Sequence, residues 1–294
     1  MHGLGDGLHQ RAVVRELMQK HELWLHTPWP QLYHDLEGLH LLRLEPTLRA
    51  MAVNQDRCTV LYGNNQLPPH GTPLETVVYP PLDVKSTGSV LGAMAKHLGV
   101  PLGDFRMPVP EAWVHQALAL PIDWDRPLLV YRPLVERSES RGYAVRNPDH
   151  EAYHALFSAI RQRFFVVSLA SLAPGNEWKV GPQITPDLTY EGGELQIETI
   201  AALVSLADLV WSAPGFGTVL AQAVCTPAVC VFGGFEDARS FSAGARFSPW
   251  LAVEPVHPCA CWSHSCLHSK AIDLPRAHER IAAFLTDQAV ACAH

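Results

Sequence analysis

A single carboxylate set among glycines opens the chain. Gly3, Gly5 and Gly7 alternate with Leu4, Asp6 and Leu8, and His9 and Arg11 follow directly. Glycines in that pattern permit positive φ and close backbone approach, and an amphipathic run after them predicts a helix whose free N–H groups favour negative charge. Asp6 then has two readings. It caps the helix by accepting from free backbone N–H groups, or it faces a cleft as a general base that takes a proton from an acceptor hydroxyl. His9 and Arg11 stand where they would orient that acceptor. Much further on, Trp211-Ser-Ala-Pro-Gly-Phe-Gly-Thr218 opens a second helix. There Gly215, Phe216, Gly217 and Thr218 either offer backbone N–H groups and a helix dipole to phosphate, or make a tight strand-to-helix connection with no ligand.

Other side chains could complete such a site. Arg132, Arg137, Arg141 and Arg146 crowd a polar segment, and guanidinium forks match diphosphate oxygens better than lysine does. The plain alternative is a solvated charged loop. Glu177, in the turn after an expected strand, and Glu236 or Asp237, beyond Gly233 and Gly234, could reach the base or ribose of a donor. Trp29, between two prolines, could stack on an acceptor ring. Cys259, Cys261, Cys266 and His268, with His257 and His264 beside them, make a metal-like cluster of a kind that suits structural zinc. Their spacing is not that of a standard knuckle, and free cysteines packed beneath the last helix would read the same way.

The elements that must hold these groups alternate. Apolar Leu8, Val13, Val14, Leu17 and Met18 oppose Arg11, Arg15 and Gln19, which is helical spacing. Strands are expected over 22–26, 39–44, 58–62, 127–133, 164–168, 209–211 and 228–232. Helices are expected over 90–98, 153–163, 195–206 and 217–224. Residues 68–79 are proline-rich and irregular. Pro108, Pro110, Pro121 and Pro127 give 108–127 the character of a linker, and place a domain boundary near Asp125, between units 1–125 and 126–294. Trp24 and Trp211, on strands, are expected in the core. Alternating strand and helix predicts an α/β protein with parallel, helix-covered sheets, whose ligands lie beyond the strands' carboxyl ends. A glycine turn of the first kind normally follows a strand, yet only two residues precede Gly3.

Size and charge bound the rest. A chain of 294 residues holds two domains of ordinary size. The formal charge of −7 argues against general nucleic-acid binding, although between Arg126 and Arg163 seven arginines face four acids. No apolar run is long enough to span a bilayer and no signal-peptide pattern opens the chain. Seven cysteines, an odd number, fit a reducing cytoplasm better than a closed disulfide framework.

The opening motif resembles that of glycosyltransferase family 9, the ADP-heptose:lipopolysaccharide heptosyltransferases. The stretch from Glu194 to Trp211, and the run from Leu220 to Gly234, resemble that family's helices and strands around its donor loop. The likeness covers the first thirty or so residues and 190–270, and is weak between 45 and 125. It implies a GT-B architecture of two Rossmann-like domains facing a central cleft, the first for acceptor and the second for nucleotide-sugar. It further implies an inverting, metal-independent transfer with Asp6 as base, and a basic residue for the donor phosphates within 132–146, Arg146-Asn-Pro being the nearest match. The chain departs from the family at 214–219, where an acid and a histidine are replaced by Pro-Gly-Phe-Gly-Thr-Val. The default acceptor is a bacterial surface glycan such as the lipopolysaccharide core. Two rivals are a phage-type enzyme acting on hydroxylated DNA bases and a GT-B fold that binds without catalysis.

Overall fold

Short runs of Leu, Val and aromatic residues form the centre of the molecule, seen in a computed structural model that describes residues 3–63, 67–137 and 143–291. In chain order the elements are α1 (Leu4–Met18), β1 (Trp24–His26), β2 (His40–Leu42), α2 (Arg49–Arg57), α3 (Pro81–Thr87), α4 (Val90–His97) and α5 (Glu111–Leu118). There follow β3 (Leu128–Tyr131), β4 (Val135–Arg137), α6 (His150–Ser158), β5 (Phe165–Leu169), β6 (Glu177–Lys179), β7 (Leu188–Tyr190) and α7 (Ile197–Ser205). The chain ends with β8 (Leu209–Ser212), α8 (Phe216–Ala223), β9 (Ala228–Val231), β10 (Trp250–Val253) and α9 (Leu274–Ala291).

Six strands make one parallel sheet in the order β10-β9-β8-β3-β5-β7. The chain starts at β3, builds outward through β5 to β7, then returns to β8 on the other side. That is the doubly wound order, and its switch point lies between β3 and β8, where such sheets open a ligand crevice. Strand periodicity sorts the side chains. Leu128 and Val130 face one core with α1, α4, α7 and α8, while Leu129, Tyr131 and Trp211 face a second with α6 and α9. The first core runs without a break from Leu8 to Ala243, so the early helices pack on the same layer as the sheet.

The earlier part of the chain departs most from expectation. Among the described residues it has one parallel pair, β1 with β2, in place of a full sheet. The run 58–62, expected as a strand, is the end of α2 and a 3-10 turn over Thr59–Tyr62. Asn54 captures the Cys58 amide, and Tyr62 reaches back to the Thr27 carbonyl at 2.9 Å, so the chain stays coiled until Gly63. The expected linker over 108–127 contains α5, whose Gln116 accepts from Thr199 on α7 at 2.9 Å. Pro110 marks the start of that helix rather than breaking it. Trp24 is half-buried and stacks on His40 instead of entering the core, whereas Trp211 is fully buried.

Within α1 the glycines do not form a separate turn. The helix begins at Leu4 with Gly3 as its cap, and none of Gly3, Gly5 and Gly7 has positive φ. Gly5 serves close approach: a Cβ there would stand 3.4 Å from the backbone of Phe216 at the start of α8.

Arg11 anchors this helix. Its guanidinium is fully buried, pairs with both oxygens of Asp35 at 2.8 Å, and donates to the carbonyls of Leu32 and Arg106. Burial alone would raise the Asp35 carboxyl, but hydrogen bonds and charge from Arg11 outweigh it and hold the group below its ordinary value. Arg11→Met should cost about 3 kcal/mol, the lower end for a broken buried pair because Asp35 keeps some exposure. Urea unfolding at neutral pH measures this. The difference between the two proteins should shrink as pH falls below about 4, where Asp35 protonates in the unfolded and then the folded state. A loss well under about 1 kcal/mol would show the pair to be dispensable.

Candidate active site

The first turns of α1 and α8 abut, and their free N–H groups open into the same cavity, about 800 Å³ in volume. The carboxyl ends of β3, β5 and β8 supply its floor through Arg132, Ala170 and Ala213. Gly215 caps α8 with φ 141° and ψ −150°, a conformation open essentially to glycine. Beneath it the Ser212 and Thr218 hydroxyls lie 2.9 Å apart and close the turn.

Asp6, in the first turn of α1, projects into the cavity. Tyr79 donates to its Oδ1 at 2.9 Å. Burial raises the carboxyl above its ordinary value, while the Tyr79 hydrogen bond, the Arg146 charge and the Gly3 amide pull it back. Asp6 is the one acid among the described lining residues, against Arg49, Arg57, Arg132, Arg137 and Arg146. The site is therefore strongly cationic in a chain of net formal charge −7.

Three of those arginines are held in set orientations. The Arg132 guanidinium lies 5.7 Å from the centre of the Phe216 ring. Arg137 pairs with Glu177 at 2.7 Å. Arg146 forks onto Glu236, which is 1% exposed, and covers the Phe235 ring at 5.6 Å. Gly233 makes the Arg146 placement feasible, because a Cβ there would lie 2.5 Å from the Arg146 carbonyl oxygen.

Of the residues predicted from sequence, Asp6, His9, Trp29, Arg132, Arg137, Arg146, Gly215, Phe216 and Gly217 line the cavity. Arg141 lies outside the described residues. Five others do not line it. Arg11 is fully buried and consumed by Asp35 and by the carbonyls of Leu32 and Arg106. Thr218 is fully buried against Ser212. Glu177 and Glu236 stand behind the arginines they hold, and Asp237 caps the following 3-10 turn through Ser240 and pairs with Arg239. Sequence reasoning missed Tyr79, in the irregular segment, Arg49 and Arg57 on α2, and Trp262 and His264. No spacing signal marks them as cavity residues, since Tyr79, α2 and the 262–264 segment reach the cavity from three separate parts of the chain. Cys259, Cys261, Cys266 and His268 come together in a group able to hold a metal, their ligand atoms all within 4.8 Å of one another.

No protein-family model matches this sequence, and no curated protein matches it. Solved structures do resemble it. A glycosyl transferase family 9 protein from Veillonella parvula aligns at TM-score 0.61 and 12% identity, over 98% of this chain and 95% of the other. The iron-containing dodecameric glycosyltransferase TibC from enterotoxigenic E. coli aligns at 0.60 and 13%, over 99% of this chain and 74% of TibC. The E. coli ADP-heptose LPS heptosyltransferase II aligns at 0.52 and 13%, over 97% and 95%. At such identities the likeness shows the fold: an α/β architecture of GT-B type. Among the described residues, no helix is long and apolar enough to cross a membrane.

His9 generates a test of how dry this site is. It is buried between Phe105 and Phe241, its Nε2 has no hydrogen-bond partner, and burial lowers its pKa to about 4. An unfolded histidine titrates near 6.5, so between those values the unfolded state binds more protons and stability rises with pH. The wild type should therefore lose roughly 3 kcal/mol as pH falls from about 6.5 to 4. His9→Leu should remove that part of the slope in denaturant titrations across the window. An unchanged slope would mean His9 is hydrated.

Proposed function

We propose that this chain is an inverting glycosyltransferase that moves a sugar from a nucleoside-diphosphate donor to an acceptor hydroxyl. The observation that carries the reading is the convergence of two helix N-termini and five arginines on a cavity with one carboxylate. A diphosphate leaving group needs that positive field, and the acceptor hydroxyl needs a base.

The roles follow from position. The diphosphate lies against the N–H groups of α8 at Gly215, Phe216 and Gly217, with Arg132 and Arg146 beside it. Apolar Leu169, Ile197 and Ile200 line the same cavity and suit a nucleobase and ribose. The acceptor enters on the side of α1 and α2, where Trp29 offers a ring and Arg49 and Arg57 favour an acceptor bearing anionic groups, as a phosphorylated surface glycan does. Asp6 accepts the hydroxyl proton as the acceptor oxygen bonds to the anomeric carbon. The bond from that carbon to the phosphate oxygen breaks, and its electron pair leaves with the nucleoside diphosphate. A carboxylate takes about four hydrogen bonds, so Tyr79 and the Gly3 amide leave Asp6 with capacity for the proton. Positive charge comes from arginine and backbone, so the transfer step is assigned no divalent metal. The division of labour places the acceptor in residues 1–125 and the donor in 126–294.

The structural neighbours suggest a donor class. One TibC structure is a complex with ADP-D-beta-D-heptose, and heptosyltransferase II is named for ADP-heptose and LPS. Because residues 214–219 carry neither an acid nor a histidine, the sugar contacts here are this chain's own. Nothing in the site favours modified DNA, since the basic groups line an inner cavity.

Thermal shift with ADP, UDP, GDP, CDP and TDP, and their sugar conjugates, tests the donor half. A ligand at a hundred times its dissociation constant adds about 2.7 kcal/mol, and one nucleotide should stand out by several degrees. A flat panel would sink the donor assignment. With the donor identified, Asp6→Asn should lower transfer by about 10²–10⁴-fold while retaining nucleotide binding. Arg146→Gln should weaken nucleotide binding itself. Donor binding with no turnover on any glycan acceptor, unaltered by Asp6→Asn, would favour a binding protein over an enzyme.

A further inference from the structure

We propose that Cys259, Cys261, Cys266 and His268 bind one thiophilic transition-metal ion, zinc or iron, and that the ion fixes the part of the cavity wall made by Trp262 and His264. The metal site stands or falls independently of the glycosyl-transfer reading.

Geometry is the first support. Cys259 Sγ and Cys266 Sγ lie 3.8 Å apart, and Cys261 Sγ lies 3.8 Å from His268 Nδ1. A tetrahedral ion with metal–sulfur and metal–nitrogen bonds of about 2.3 and 2.0 Å sets its ligand atoms roughly 3.5–3.8 Å apart. A disulfide would require sulfurs about 2.0 Å apart. The second support is the histidine's other nitrogen. His268 Nε2 is 3.0 Å from the Ser263 carbonyl oxygen, to which it can only donate. The proton is thereby placed on Nε2, and Nδ1 keeps a lone pair facing Cys261, as metal-ligating histidines are commonly held.

The backbone agrees. Residues 254–273 contain no helix or strand, a length of irregular chain that calls for an internal staple. Ala260 has φ 49° and Trp262 φ 61°, two of three non-glycine residues with positive φ among those described. Such conformations persist only where the surroundings over-determine them. The Ala260 and Trp262 amides donate to the carbonyls of Gly234 and Phe235 at 2.9 and 3.1 Å, which ties this segment to the loop beyond β9.

From there the segment reaches the site in one aromatic layer. Trp262 packs against Phe235 at 5.6 Å and Tyr79 at 6.3 Å, and Phe235 contacts His264 at 4.8 Å. Tyr79 is the donor to Asp6, and Phe235 underlies Arg146. An ion at the four ligands would hold in place the rings that hold these two groups.

The test begins with the full chain purified under reducing conditions. Elemental analysis should find a single equivalent of zinc or iron, largely lost from a Cys261→Ser/Cys266→Ser variant. Cobalt(II) exchanged into the wild type should show the visible bands of a tetrahedral ion together with thiolate charge transfer. Removing the metal should raise hydrogen exchange across residues 257–270 and around Tyr79 by about tenfold or more. Metal-free protein that takes up neither zinc nor cobalt would overturn the site. So would an octahedral cobalt spectrum, uptake unaffected by the serine substitutions, or a Cys259–Cys266 disulfide in the unreduced protein. A bound metal whose removal leaves that exchange unchanged would overturn the wall-fixing role.

Discussion

The first turns of α1 and α8 meet at Gly5 and Phe216, so two sets of unpaired N–H groups open into the same space. Each helix end carries roughly half a positive charge, and like charges pressed together repel. Much of the surrounding structure answers that constraint. Gly5 lets the backbones touch, Gly215 turns the chain sharply into α8, and Asp6 sets a carboxylate within the first turn of α1. One carboxylate does not neutralise two helix ends and five arginines, so the cavity keeps a surplus that favours an anionic guest.

The acids that might have cancelled this surplus stand behind it. Glu236 and Glu177 hold Arg146 and Arg137 from outside the lining, fixing where the guanidinium groups point and offsetting part of their charge, so the surplus rests on the helix ends and the remaining arginines. A buried carboxylate such as Glu236 is costly to desolvate unless paired, so the pair is mutually enforcing. The same device operates at Arg11 and Asp35, but there it serves cohesion, joining α1 to the turn over Pro30–Tyr33 and to Arg106. Equivalent chemistry thus plays two parts, decided by whether the arginine reaches the cavity lining, as Arg137 and Arg146 do, or is buried away from it, as Arg11 is.

That distinction marks the limit of what the sequence could tell. Helix α1, most strands of the main sheet and the turn before α8 were legible because periodicity and glycine placement are local properties. Asp6 and the glycine turn at 215–217 were legible as cavity-facing for the same reason. The roles of Arg11, Thr218, Glu177, Glu236 and Asp237 were not. A polar residue near a turn or strand end looks the same whether it faces a ligand or a neighbour, and its direction is set by a partner far along the chain, as Asp35 sets that of Arg11. Tyr79, Arg49 and Arg57 were invisible for the converse reason, since only the tertiary fold brings them to the cavity. Helix α5 was hidden because prolines at its borders read as a linker.

The continuous core also decides what in this site can adapt. Leu8, Ala12 and Val13 of α1 share one apolar cluster with Val219 and Leu220 of α8, and the Met107 amide bonds the Ala223 carbonyl at 2.8 Å. Interiors packed at crystal-like density do not deform smoothly, so the separation between Asp6 and the Gly215 turn is fixed by the core. The in-line displacement proposed above would gain from such fixity, because the position of Asp6 relative to the Gly215 turn is set before any ligand arrives. Accommodation of differing guests must then fall to the walls. These are α2 and α3, which bury only Met51, Asn54 and Gln55 on α2 and Val84 on α3, whereas the irregular segment 254–273 is tied to the Gly234 and Phe235 carbonyls.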